Sequence, residues 1–185
     1  FANYSKIAGA MIEDSQYDYV NLNRIDINGA DREKLYQILD NNLIITRTVS
    51  TGKGITEREN ERVIFVFDEF RDFCLARYLL QYSEDACDNK YSFFFDKVDE
   101  MFQNRQSPIE GVIKYGYYHF KTNGPKELCQ KILTLYGGMN IQHIANKENR
   151  SNQPDEPFDN FGLSLIFIDS GEITETEIKF LKKYI

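Results

Sequence analysis

Between Arg62 and Leu80 the chain changes its repeat within a single residue. From Val63 to Phe67 every residue is β-branched or aromatic, the composition of a strand. From Asp68 onward Phe70, Phe73, Cys74, Leu75, Tyr78 and Leu79 recur at steps of three and four, which gathers them on one face of a helix. Asp68 stands at the switch. Its short carboxylate suits a first-turn amide and the positive end of the helix dipole, and Glu69 and Asp72 add to that bias. A fold containing this segment must join a strand directly to a helix.

The remaining chain sets bounds on what that joint belongs to. At 185 residues it has room for one large or two small domains, and an aromatic content of 14%, without any Trp, supplies a real core. The formal net charge of -7 opposes a nucleic-acid surface, because phosphate contacts need clustered Lys and Arg. Cys74, Cys87 and Cys129 make an odd number without CxxC spacing, as expected of a reduced, cytoplasmic chain. No apolar run approaches the length that spans a bilayer, and no charged-then-apolar signal opens the sequence. The chain starts at Phe1 without Met and ends within a helical pattern at Ile185, which is the expectation for a piece of a longer polypeptide.

Upstream of the joint, Tyr4, Ile7, Ala8, Met11 and Ile12 predict a helix over about 3–13, and Leu35, Ile38 and Leu39 a second over 30–41. A polar stretch with one short apolar step separates them. Leu43 to Val49 and Arg62 to Phe67 read as two strands, with polar residues Ser50 to Asn60 as the loop between them. Helix, polar link, helix, strand, long loop and strand is the order of a winged-helix domain, closed by the helix from Asp68. Ser83 to Lys90 reads as a polar connector. Helical patterns return over 93–102, over 109–120 after Ser107-Pro108, and over 125–136. Residues 146–160 have the composition of an exposed loop. Leu163 to Ile168 reads as a strand, and Thr174 to Ile185 as a helix with Ile178, Leu181 and Ile185 on one side. The expected architecture is mainly α with a small β-hairpin: a winged-helix domain over 1–82, an α-helical region over 83–145, and a loop with a strand and helix over 146–185.

Residues able to do chemistry are sparse. Thr51-Gly-Lys-Gly54 lacks the spacing of a phosphate-binding loop and leads into a strand, so it reads as a wing tip. His119 and His143 have no second His or Cys at ligand spacing on the same element. No GxSxG or comparable nucleophile signature occurs. Cys74 reads as a small buried hydrophobe. Asp68, Glu69 and Asp72 place carboxylates on one helical side, where acid-base work or cation binding competes with the stronger explanation of charge at a helix start. Phe93 to Phe95 and Tyr115 to Phe120 are more consistent with core than with base stacking, since few Lys or Arg interleave them. In the 31–40 helix Arg32 and Lys34 face Asp31, Glu33 and Asp40. In the wing Lys53, Arg58 and Arg62 are offset by Glu57, Glu59 and Glu61. Neither surface has the positive excess of a major-groove reader, so a winged helix used for protein contacts fits better.

The run Phe65 to Leu79 resembles the end of the winged-helix domain in STAND NTPases, the NACHT and NLR-like signal-transduction ATPases that include bacterial antiphage (Avs-like) members. There a strand is followed by a helix of the form Phe-Gln-Glu-Phe-x-x-Ala. Phe70, Arg71, Asp72, Phe73 and Ala76 match it, and Leu35 to Ile45 is similar to the domain's third helix and leading strand. The resemblance covers roughly residues 1–82. Phe67 stands just before the motif, where many members carry a nucleotide-sensing His. The Walker A and Walker B motifs are absent, and the resemblance implies that they lie upstream in a longer parent protein.

The resemblance implies a non-catalytic regulatory fragment that couples nucleotide state to a C-terminal sensor, in antiviral defence. ATP or ADP and Mg would be bound by the parent, with no cofactor or metal in this fragment. Phe67, Phe70, Asp72 and Phe73 would form the interdomain packing, and Lys53, Arg58 and Arg62 the wing contacts. Partners would be other domains of the same polypeptide, a protein ligand or an oligomer partner, without nucleic acid or membrane. Two rival readings remain: a winged-helix DNA-binding transcriptional regulator with a helical dimerisation domain, and an enzyme using His119 or Cys129.

Overall fold

The computed structural model describes residues 2–25, 42–52, 58–85, 91–137, 165–166 and 173–182. The chain forms two compact units, Phe1–Val112 and Ile113–Ile185. The described residues are mainly helical, with one small three-stranded antiparallel sheet. None of the described helices is long and apolar enough to cross a membrane.

In the first unit, helix α1 (Ala2–Asp14) buries Ile7, Ala8, Met11 and Ile12, the residues that carry its helical spacing. Strand β1 (Val20–Asn21) and a turn of 3₁₀ helix (Leu22–Arg24) follow. Arg24 clasps the Asp14 carboxylate at 2.5 Å, tying that turn to the end of α1. The helix expected over 30–41 falls wholly in 26–41, outside the described residues. Strands β2 (Ile44–Thr51) and β3 (Arg58–Phe65) pair antiparallel from Ile44↔Phe65 to Thr51↔Arg58.

Two features of this sheet differ from the sequence reading. Ser50, Thr51 and Arg58 to Asn60, expected in the loop, continue the ladder instead. The pairing is set by backbone partners across the hairpin, so the polar side chains there do not end it. The short apolar step at Val20 is a third strand, paired Val20↔Val63 and Asn21↔Arg62, which makes the order β1-β3-β2 with β3 central. Two residues are too short to show a period of their own.

Helix α2 (Asp68–Asp85) leaves the sheet without a loop, as the joint requires. Its Cys74, Leu75, Ala76 and Leu79 are fully buried, and it packs on α1 and on α3 (Ser92–Gln103). The expected connector from Ser83 is thus partly helix. Phe94, Val98 and Met101 of α3, then Ile109 and Val112 at the start of α4 (Ile109–Thr122), are also buried in this unit.

In the second unit, the later turns of α4 bury Ile113, Tyr117 and Phe120, and α5 (Lys126–Tyr136) buries Cys129, Ile132, Leu133 and Tyr136. Helix α6 (Glu175–Leu181) packs on α5. Leu165 and Ile166, read from sequence as strand, have helical backbone and are buried. A short apolar run buried on all sides looks the same in either conformation. The loop expected over 146–160 lies outside the described residues.

Candidate interaction site at the strand-to-helix joint

The joint is closed by backbone hydrogen bonds. The Val66 amide donates to the Leu43 carbonyl at 3.0 Å, extending the β2–β3 edge by one residue. The Phe67 carbonyl then accepts from the amides of Phe70 and Arg71 at 3.1 and 3.0 Å. Phe67 therefore opens the helix, and Asp68 is its first residue. With the chain pinned on both sides, Val66 and Phe67 project outward, and Phe67 is 55% exposed.

Arg71 organises the first turn. Its guanidinium reaches Asp68 Oδ1 at 3.0 Å and, through Nη2 and Nε, Asp72 Oδ1 at 2.9 Å. Asp68 is largely exposed, whereas Arg71 and Asp72 are buried. Burial pushes the Asp72 carboxyl up to about 6, although the charge and hydrogen bonds of Arg71 pull against it. The three residues match acids at a helix start to a cation one turn on. They do not form an open acid-base pair, since Arg71 occupies the inner carboxylate. Sequence reasoning placed Asp68 as a cap but missed Arg71, whose charge carried no sign that it would be buried.

The aromatic residues of the joint form a continuous cluster. Phe70 meets Tyr4 edge-on at 5.1 Å and Phe65 at 5.8 Å, and stacks with Phe73 at 6.4 Å. Such pairs hold ring geometry beyond the effect of burial alone. Of the four residues expected to pack against neighbouring domains, Phe70 and Phe73 lie in this cluster and Asp72 in the ion pair, while Phe67 faces outward.

The wing residues separate. Lys53 lies outside the described residues, and Arg58 opens β3 opposite Thr51. Arg62 sits with its guanidinium 3.8 Å from the centre of the Tyr19 ring, a cation–π contact within the fold. Glu59 and Glu61 precede it along the strand.

The residues of the enzyme reading are placed as packing groups. His119 lies edge-on to Phe120 at 5.6 Å, and His143 is outside the described residues. Burial pushes the Cys129 thiol up to about 11 and the Cys74 thiol up to about 12, so both are protonated at neutral pH and poor nucleophiles. Among the described residues no three His, Cys, Asp or Glu side chains gather as metal ligands. No family model, curated protein or solved structure matches this chain.

Proposed function

We propose that this chain is the winged-helix domain and adjoining helical region of a STAND-type NTPase, a regulatory part that couples the nucleotide state of its parent to a C-terminal sensor. The observation that carries the reading is the sheet order β1-β3-β2, entered from α1 and left directly into α2. That order is compatible with a winged-helix domain, and Val66 and Phe67 are exposed beside the run that resembles the family motif. An outward Phe at this point offers an apolar anchor for a neighbouring domain. Regulation would consist of two packing arrangements of that anchor, biased by ATP or ADP in the parent and by ligand at the sensor. The setting would be the cytoplasm, in antiviral defence.

The DNA-binding alternative draws less support, because Arg62 is committed to Tyr19 and acidic residues line the same strand.

The test uses the full reading frame. A Walker A motif is expected roughly one to two hundred residues upstream, about a domain's length. In the parent, Phe67→Asp should change ATP hydrolysis or oligomeric state while leaving the folding of this region intact. ATP hydrolysis by the isolated chain that tracks its own substitutions would sink the reading. Salt-sensitive duplex binding, lost when Lys53, Arg58 and Arg62 are neutralised, would replace it with the DNA-binding one.

A further inference from the structure

Helix α6 is docked the wrong way round for an ordinary amphipathic helix. Its apolar spacing leads one to expect Ile178 and Leu181 on the inner side, yet Ile178 is 42% exposed and Glu177 is fully buried. The Glu177 carboxylate is the anchor. Its Oε1 accepts from the Tyr117 hydroxyl at 2.5 Å and from Lys121 Nζ at 3.1 Å, and its Oε2 accepts from the Thr174 amide at 2.6 Å. Thr174 Oγ1 accepts from the Glu177 amide in return, completing a capping box. The apolar share of the docking is the Phe180 ring, set against Gly137, where an added Cβ would lie 2.8 Å from that ring.

A seven-residue helix is too short to persist without its contacts. Among the described residues of α6, the buried side chains are Glu177 and Phe180. Beneath its first residues lies a cavity of about 360 Å³, lined by Tyr117, Lys121, Lys126 and Cys129 from α4 and α5 and by Ile173 to Glu175 at the start of α6. The cavity is open at its Lys126, Ile173 and Glu175 rim, and Cys129 is buried at its inner side.

We propose that α6 is a releasable latch: it opens as a unit from α4 and α5 when the hold of Tyr117 and Lys121 on Glu177 is broken, widening the cavity and uncovering the Cys129 thiol. Elements with few buried apolar contacts open at a lower free energy than the core around them. Breaking a buried ion pair from one side leaves an uncompensated charge, which drives the opening further. This inference stands independently of the STAND reading.

The chain itself carries the reporter and its control. In a Cys87→Ser background the two remaining thiols are Cys129, beside the cavity, and Cys74, fully buried in the other unit. Native-state alkylation followed by mass spectrometry reads each separately. Lys121→Met should raise the Cys129 rate by about tenfold or more, the ratio that 1.4 kcal/mol produces, and leave Cys74 unchanged. Tyr117→Phe, which removes one hydroxyl, should raise Cys129 by less with Cys74 again unmoved. An unchanged Cys129 rate in both variants would overturn the latch. So would parallel rises at both thiols in Tyr117→Phe, since opening would then be global unfolding.

Discussion

Ser83 Oγ accepts the amide of Phe94 at 2.9 Å while donating to the Leu79 carbonyl at 2.7 Å. Phe94 is the third residue of α3, and its amide is one that the residue before a helix normally satisfies. That residue is Tyr91, held in a left-handed conformation at φ 71° with no side-chain cap. A serine from the preceding helix thus caps the next one, and the α2–α3 corner is fixed by a hydroxyl.

Ser83→Ala should therefore destabilise the first unit more than an exposed serine would, because it strands a buried amide. The expected loss is about 1–3 kcal/mol, read as a lower urea midpoint with an unchanged slope. A loss near zero would mean that the Phe94 amide finds another acceptor.

A second close approach joins α2 to the start of α4. A Cβ built on Gly111 would meet the Asp72 carboxylate at Oδ2 and lie 2.7 Å from its Cγ and 2.5 Å from its Cβ, the last of which is backbone-proximal and has little freedom to give way. Gly111→Ala should cost about 1–3 kcal/mol as an overpacked contact. The paired variant Gly111→Ala with Asp72→Ala, lacking the outer carboxylate atoms, should recover part of that loss in a double-mutant cycle.

These two relationships also mark what could be read in the sequence. The Asp68 switch and the helices α1 to α5 were legible, because burial on one face leaves a three-and-four spacing that a single sequence displays. Ser83 was read as linker because its role depends on Phe94, eleven residues away and in another helix. Val20 was too brief to show alternation, and its strand exists through pairing with Val63. At α6 the shared side of Ile178 and Leu181 gave no sign that Glu177 would be buried, because that burial depends on Tyr117 and Lys121 in another helix. At the candidate site, Phe70 and Phe73 were legible as packing residues, whereas the Arg71 ion pair required coordinates.

Asp72 gives the first unit a pH dependence whose sign can be worked out. Burial raises its folded-state carboxyl to about 6 from an ordinary 3.8, so the folded chain binds this proton more tightly than the unfolded chain does. Its contribution to stability rises as pH falls from 7 through 6 and levels off below the unfolded value. Wild type should gain on Asp72→Asn in unfolding midpoint between pH 7 and pH 4. The reverse trend would show that the ion pair with Arg71 dominates over burial.

Glu177 runs in the opposite direction, and the contrast tests whether hydrogen bonding or burial governs each site. Burial alone would raise its carboxyl, but donation from Tyr117, Thr174 and Lys121 outweighs it and leaves the group below the ordinary value. The stability it contributes is present above the unfolded-state value and is lost as pH falls through the lower folded one. A carbon-detected NMR titration of the Glu177 carboxyl should give a midpoint under that of an exposed glutamate. Tyr117→Phe removes the first of these donors, leaving burial less opposed, and should move the midpoint upward. An unmoved midpoint in that variant would mean that Thr174 and Lys121 hold the carboxylate without help from the Tyr117 hydroxyl.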